Sequence, residues 1–444
     1  MNRSLSLFIL SLVLSSGVFA QGDETKATKA LFIEDSKMAA RIRLDLIREA
    51  KSEILISTHT LAEDQLGVRL LGELTAAAKR GVKVKLIIDA WEKSKNISVP
   101  MKHALEMAGV EVHMFRPLTP GYLLNLNRRM HDKLFIVDRK FLVQGDRNLT
   151  KDYYSLGEEA FVSKEFYYEG KVAKTSATYF DKLIEEDAVE RVAKDPSFTP
   201  AVEEKLKVLR RNAYKTKTNI LQGTDNWRAK LELVDEVNFF HDNVKMKGKA
   251  KGTEAPLLDM IRNAKKRIII ENPYIVLTDE FRAALRVAYK NGVKITVLTN
   301  SPQATDQKLV GAAWEESREF LKTMNATIWE HPGLNPKSDF SKWKMRNPGK
   351  FFSEKAIHTK MLIVDDWIAM KSFNLDPRSQ KHNMEIVVQI KSQNMSEKAI
   401  KLLQHDITHR GYINSVIHGK TNKLVPGLNC RKTKLLSYLL RYYL

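Results

Sequence analysis

His131-Asp132-Lys133-Leu134-Phe135-Ile136-Val137-Asp138 returns later in the chain as His358-Thr359-Lys360-Met361-Leu362-Ile363-Val364-Asp365. Both stretches have the form His-x-Lys-x-x-x-x-Asp. Alternate residues of a strand point to the same face, so each histidine shares a face with its lysine. The apolar residues that follow anchor each strand in a core. A lone His-x-Lys is usually an exposed sheet edge; two copies at equivalent places in a repeat point to chemistry.

The repeat extends outward from the motif. Residues 52–58 and 266–270 are β-rich apolar runs, each preceded by an amphipathic helical pattern, at about 37–51 and 254–265. Each is followed by a further helix with the same ending. The endings read Lys79-Arg80-Gly81-Val82-Lys83-Val84 and Lys290-Asn291-Gly292-Val293-Lys294-Ile295. Gly81 and Gly292 stand where a helix C-terminus wants a left-handed residue, and a buried strand begins after them. A further strand pair is Gly109-Val110-Glu111-Val112-His113-Met114 and Asn325-Ala326-Thr327-Ile328-Trp329. Strands alternating with helices imply α/β lobes with largely buried sheets.

The expected organisation is a first lobe over 21–194, a linker over 195–228 with a helix near 201–211, and a second lobe over 229–420. At 444 residues and 43% hydrophobic, the chain can build two cores, and its composition excludes disordered and fibrous classes. Residues 1–20 read as a signal peptide: Arg3, an apolar run from Leu5 to Leu14, a break at Ser15-Ser16-Gly17, and Val18 and Ala20 before the cut. The expected location is therefore periplasmic or secreted, with an uncleaved anchor as the alternative. Cys430 is the single cysteine, so no disulfide within the chain is available. His405 and His409 lack the glutamate of a zinc-protease helix and read as surface histidines.

Each His-x-Lys is followed by an asparagine and then an acidic residue. The first half supplies Asn148 in Gly145-Asp146-Arg147-Asn148, then Glu165; the second supplies Asn374 in Lys371-Ser372-Phe373-Asn374, then Glu385. This is a complete set for phosphodiester exchange. One neutral histidine attacks phosphorus, and the other protonates the leaving oxygen. Lys133, Lys360, Asn148 and Asn374 would hold the phosphoryl oxygens, and Glu165 and Glu385 would orient the imidazoles. No metal and no cofactor is expected.

The paired motif resembles that of the phospholipase D superfamily, and its flanks resemble the bacterial cardiolipin synthase branch. The closer likeness lies in Leu126 to Asp138, in Leu298-Thr299-Asn300-Ser301 with Ala304-Thr305-Asp306, in Asn272-Pro273-Tyr274, and in Ser372 to Ser379. It covers about residues 36–415. The resemblance implies two similar α-β-α sandwich lobes facing each other across a pseudo-twofold, with both histidines at the interface. It assigns His131 as the nucleophile, which the residues alone do not separate from His358. It also implies that Asp138 and Asp365 are structural.

The chain departs from the family's Gly-Ser-x-Asn or Gly-Gly-x-Asn loop at Asp146 and at Lys371. Lys371 reads as surface drift; Asp146 is open between repelling a second anion and contacting an alcohol. Thr58-His59-Thr60 replaces the synthases' aromatic run, and His59 reads as a polar strand-end residue with a pocket position as the alternative. The charge of +20 favours polyanionic partners. The C-terminal tail 421–444 is basic and amphipathic from Lys432 onward, suited to an anionic membrane or to packing on the second lobe. Phospholipid transfer or hydrolysis is the favoured function, with a metal-independent nuclease acting on nucleic acid as the alternative. A non-catalytic binding protein is disfavoured by the intact motifs. The oligomeric state is open.

Overall fold

The computed structural model describes residues 28–91, 96–117, 128–157, 159–213, 226–243, 252–305, 308–333 and 353–415. The signal segment and the basic tail lie outside the described residues. The first half runs β1 (Thr28–Ile33), α1 (Ser36–Glu49), β2 (Glu53–Thr58), α2 (Gln65–Lys79), β3 (Lys83–Asp89), α3 (Val99–Met107) and β4 (Val110–Phe115). It continues through the hairpin β5 (Leu134–Val137) and β6 (Phe141–Gly145), then β7 (Glu159–Val162), β8 (Glu165–Glu169), α4 (Lys171–Ile184), β9 (Val189–Arg191), α5 (Pro200–Asn212) and β10 (Glu232–Val234).

The second half repeats the plan with β11 (Glu236–His241), α6 (Glu254–Asn263), β12 (Arg267–Glu271), α7 (Asp279–Lys290), β13 (Lys294–Asn300), α8 (Lys308–Lys322) and β14 (Thr327–His331). There follow β15 (Ser353–Ile357), the hairpin β16 (Met361–Val364) and β17 (Trp367–Lys371), β18 (Ile386–Lys391), the helix Gln393–His409 and β19 (Ile413–Asn414).

The strands form two large sheets, ordered β10-β1-β8-β6-β5-β2-β3-β4-β9 and β11-β18-β17-β16-β12-β13-β14-β19. In each, three parallel strands adjoin the motif hairpin, which runs antiparallel to the first of them. Helix packing follows the apolar stripes. Leu70 and Leu74 of α2, Met101 of α3 and Leu209 of α5 cover the outer face of the first sheet. Leu257, Leu285 and Leu321 of α6, α7 and α8 cover the outer face of the second. The inner faces share one core, in which Leu55, Leu134 and Ile136 pack with Met361, Ile363 and Met370.

Gly81 and Gly292 end α2 and α7 with φ of +90° and +77°, as their matching positions in the sequence anticipate. Asp138 and Asp365 perform one turn-closing task twice. Asp138 accepts from the backbone N–H groups of Lys51, Ser52 and Glu53, and Asp365 from those of Lys265, Lys266 and Arg267. Each ties the tip of the motif hairpin to the start of β2 or β12, at the far end from the histidines.

Two boundaries differ from the sequence reading. Helix α5 belongs to the first lobe: Val202 and Leu209 enter its core, and the Cβ of an alanine at Gly72 would lie 2.7 Å from the Ala213 nitrogen. Strand β10 pairs with β1, so the first sheet extends to Val234 and the second lobe begins at β11. A linker reading follows naturally from a polar, basic stretch; the buried anchors that dock it, Val202 and Leu209, are sparse in sequence.

The lobes are joined by backbone as well as by the core. β7 and β15 pair in parallel across the interface, and Met130 and Met384 form a parallel bridge. A buried ion cluster adds to this, with Lys164 of the first lobe 2.7 Å from Glu271 and 2.9 Å from Asp406 of the second.

Candidate active site

Both histidines sit just before a motif strand, in backbone held by the opposite lobe. The His131 N–H donates to Met384 O at 3.0 Å, and the His358 N–H donates to Val162 O at 2.8 Å. The reciprocal contact makes the site a product of the interface. Lys133 and Lys360 rise on the same face as their histidines, and each ammonium donates to the carbonyl of its own histidine at 2.8 Å. The Lys360 ammonium also lies 3.3 Å from both ring nitrogens of His358. Lys133 influences both imidazoles electrostatically, which places the two pairs in one site.

The Nδ1 atoms face carboxylates of the partner lobe. His131 Nδ1 is 3.2 Å from Glu385 Oε2 and 3.0 Å from Ser372 O. His358 Nδ1 is 3.2 Å from Asp146 Oδ2. Those partners are acceptors, so the proton belongs on Nδ1 and each Nε2 is left for chemistry. Glu385 is itself fixed by Ser372 Oγ, by Ser379 Oγ at 2.9 Å and by Asn383 Nδ2 at 3.1 Å. Asp146 is fixed by the Lys164 N–H at 3.0 Å.

Glu165 does not take the place the sequence suggested. Its oxygens are held by the Arg43 guanidinium at 2.6 and 2.7 Å, with Arg147 at 3.7 Å. The reason is strand register: Glu165 stands opposite Gly145, whereas Val387 stands opposite Lys371. Glu165 is thus the counterpart of Val387, and the counterpart of Glu385 is Ser163. Chain spacing suggested the wrong equivalence because the loop before β8 differs in length from that before β18.

The two asparagines flank the histidines. The Asn148 Nδ2 donates to Tyr153 OH at 3.0 Å, and its amide oxygen is buried without a hydrogen-bond partner among the described residues. The Asn374 N–H donates to Ser379 Oγ at 3.1 Å, and its side-chain amide oxygen is likewise buried and unmatched among the described residues. An unmatched amide oxygen at this depth costs stability; turning either amide over would present its N–H to a ligand's oxygen. Burial, and then the Lys133 charge, push the His131 imidazole down to about 3; burial and Lys360 push His358 down to about 4. Burial also lowers Lys133 to about 8. Asp146 would be raised by burial, but the His358 hydrogen bond and nearby cations bring it below the ordinary carboxyl range.

Three further residues line the site. His59 stands edge-on to His131, with ring centroids 5.4 Å apart, and its Nδ1 lies 3.1 Å from Met130 O. Tyr153 and Phe161 stand at 4.9 and 5.4 Å from the His358 ring. For His59 the structure takes the pocket position, which the sequence offered only as the alternative to a strand end; the two aromatics carried no signal there, because Tyr153 on a short 3-10 turn and Phe161 on β7 meet His358 only across the lobe interface. Lys371 is fully buried, not a surface change, and donates to Asn272 Oδ1 at 2.5 Å and Phe373 O at 2.8 Å.

The family described as "Cardiolipin synthase, PLD-like domain" matches this chain twice, over residues 44–184 and 257–407, one match per lobe. Cardiolipin synthase C of Escherichia coli (strain K12) is 28% identical over 396 residues, covering 82% of both chains. Cardiolipin synthase B of the same strain is 24% identical, covering 79% of this chain and 73% of its own. The phosphatidylserine synthase structure from Haemophilus influenzae Rd KW20 aligns with a TM-score of 0.64 at 15% identity, covering 94% of this chain and 95% of that one. That likeness establishes the shared fold. Two family matches on two lobes, meeting at the paired His-Lys motifs, place the chain in the cardiolipin synthase PLD-like domain family, as a phospholipase D-superfamily phosphodiesterase or phosphatidyltransferase.

Proposed function

We propose that this enzyme transfers or hydrolyses the phosphatidyl group of a phospholipid through a covalent phosphohistidine. The observation that carries the chemistry is the pair of imidazoles whose Nδ1 atoms are each held at 3.2 Å by a carboxylate from across the interface. The lipid substrate is supported by the synthases among the relatives.

In the first step His131 Nε2 attacks phosphorus, the bond from phosphorus to the leaving alcohol breaks, and His358 Nε2–H gives its proton to that oxygen. In the second, water or an alcohol gives its proton to His358 and attacks phosphorus, and the P–N bond breaks. Glu385 and the carboxylate at His358 stabilise the imidazolium character that develops in turn. Lys133, Lys360 and the two asparagines take the phosphoryl oxygens, where negative charge grows. Burial, and then the lysine charges, drive protons off both rings; a bound anionic diester would offset the lysine charge and let His358 be protonated.

We further read residues 1–20 as an export signal and the working location as periplasmic or secreted, at a membrane surface; the N-terminal sequence of the exported protein tests this. For the reaction, the purified protein in chelator is incubated with phosphatidylglycerol vesicles, and separately with DNA and RNA. Mass spectrometry identifies the products. New lipid products, lost in His131→Ala and His358→Ala, are the expected result. Oligonucleotide products without lipid turnover would replace this reading with the nuclease.

A further inference from the structure

We infer that the two half-sites have exchanged the chain positions of their carboxylate and hydroxyl, so that Asp146, and not Glu165, is the positioning residue for His358. This deepens the proposed function and rests on His358 being a reacting group.

The backbone fixes the comparison. His131 N–H binds Met384 O, and His358 N–H binds Val162 O, so the residues that follow, Glu385 and Ser163, are equivalent. The opposed pairs Gly145 with Glu165 and Lys371 with Val387 make Asp146 and Ser372 equivalent as well. The second lobe therefore carries a hydroxyl on the hairpin loop (Ser372) and a carboxylate before β18 (Glu385). The first lobe carries a carboxylate on the loop (Asp146) and a hydroxyl before β8 (Ser163).

Both carboxylates are fully buried, and both reach a partner-lobe Nδ1 at 3.2 Å. The hydroxyls behave differently. Ser372 Oγ donates to Glu385, while Ser163 Oγ is buried without a hydrogen-bond partner among the described residues. Asp146 has little freedom. Its second oxygen takes the Lys164 N–H, and the Lys164 side chain is anchored on Glu271 and Asp406 of the other lobe. Glu165 is committed to Arg43 on both oxygens. The ring of His358 then faces Asp146 on one side and the Lys360 ammonium on the other, with Lys133 further out.

The test separates this assignment from the substrate. Protein labelled with nitrogen-15 in its imidazoles is titrated without any substrate, and the His358 signal is identified by its loss in His358→Gln. In Asp146→Asn the His358 tautomer signature and titration should move, and in Glu165→Gln they should stay. Turnover of a soluble phosphodiester such as bis(p-nitrophenyl) phosphate should fall about 10⁴-fold in kcat with KM little changed in Asp146→Asn, as when an imidazole loses its orienting carboxylate. The double variant Asp146→Ser with Ser163→Glu copies the second lobe's arrangement into the first and should recover at least tenfold over Asp146→Ser alone. A His358 signal that moves in Glu165→Gln and stays in Asp146→Asn overturns the inference. So does a folded double variant that is no more active than the single. The NMR arm is independent of lipid turnover, so failure of the phospholipid reading leaves its outcome intact.

Discussion

The two halves of the site hold the same chemistry on different supports. In the second half, an amine is buried behind the histidine loop: Lys371, opposite Val387, donates to the neutral oxygens of Asn272 and Phe373. Burial and the neighbouring Lys360 push that ammonium well below the lysine range. In the first half the equivalent residue is Gly145, and the space is filled by Glu165 clasped by Arg43. A Cβ on Gly145 would lie 2.3 Å from the Glu165 Cβ, so a side chain there cannot coexist with that ion pair. The comparison teaches that a duplicated reactive frame tolerates a buried amine behind one half and a carboxylate–guanidinium pair behind the other. What each half keeps is a buried acceptor at the Nδ1 of the opposite histidine.

The largest expected effect tests how far the halves differ in role. His131→Ala and His358→Ala should each lower turnover about 10⁴-fold or more. Protein denatured at alkaline pH and analysed by mass spectrometry should carry a phosphoryl adduct on His131 in His358→Ala and none in His131→Ala. An adduct on His358 would reverse the roles. Next, Lys133→Met and Lys360→Met should each cost about 10²- to 10³-fold in kcat, the usual loss when one transition-state donor is removed. Steady-state kinetics showing a loss confined to one of them would mean that a single half grips the phosphoryl group.

Stability should divide the halves in the opposite sense. Gly145→Ala should destabilise by about 1–3 kcal/mol through overpacking against Glu165. Lys371→Met should cost less or be neutral, because a buried ammonium gives way to an apolar chain of similar length. Urea unfolding of the two variants measures both.

The smallest effect is a shared one in acid. The folded chain keeps His131 and His358 neutral down to about 3 and 4, whereas unfolded imidazoles protonate near 6.5. The unfolded state binds more protons in that window, so stability is lost as pH falls from about 6.5 towards 4 and is unaffected by these groups above it. Thermal melts across that range should flatten in His358→Gln. A slope unchanged by the substitution would show that the ring is protonated in the folded protein.

Much of this was legible in the residues. The repeated motif, the matching glycines 81 and 292, and the alternating strands and helices specified two α/β lobes, and the family match on each lobe agrees. The reacting pairs were legible because a strand's two-residue period is local and needs no knowledge of the rest of the chain. The support behind them was not. Asp146 stood out only as a departure from a loop pattern, Lys371 looked like surface variation, and Glu165 was chosen by distance along the chain. Tyr153 and Phe161 gave no sign, since the meeting of the two lobes decides which aromatics face His358.

By itself the sequence determined which atoms can react, histidine and lysine two residues apart at the entry to a strand, twice, because that placement follows from backbone geometry within a few residues. Only the tertiary structure decided which acid serves which histidine. That choice rests on strand register and on the meeting of two lobes, where Glu385 reaches His131, Asp146 reaches His358 and Glu165 is taken by Arg43. Register shifted by two residues keeps the same face but changes the partner, and contacts between residues more than two hundred positions apart leave no local trace in the chain.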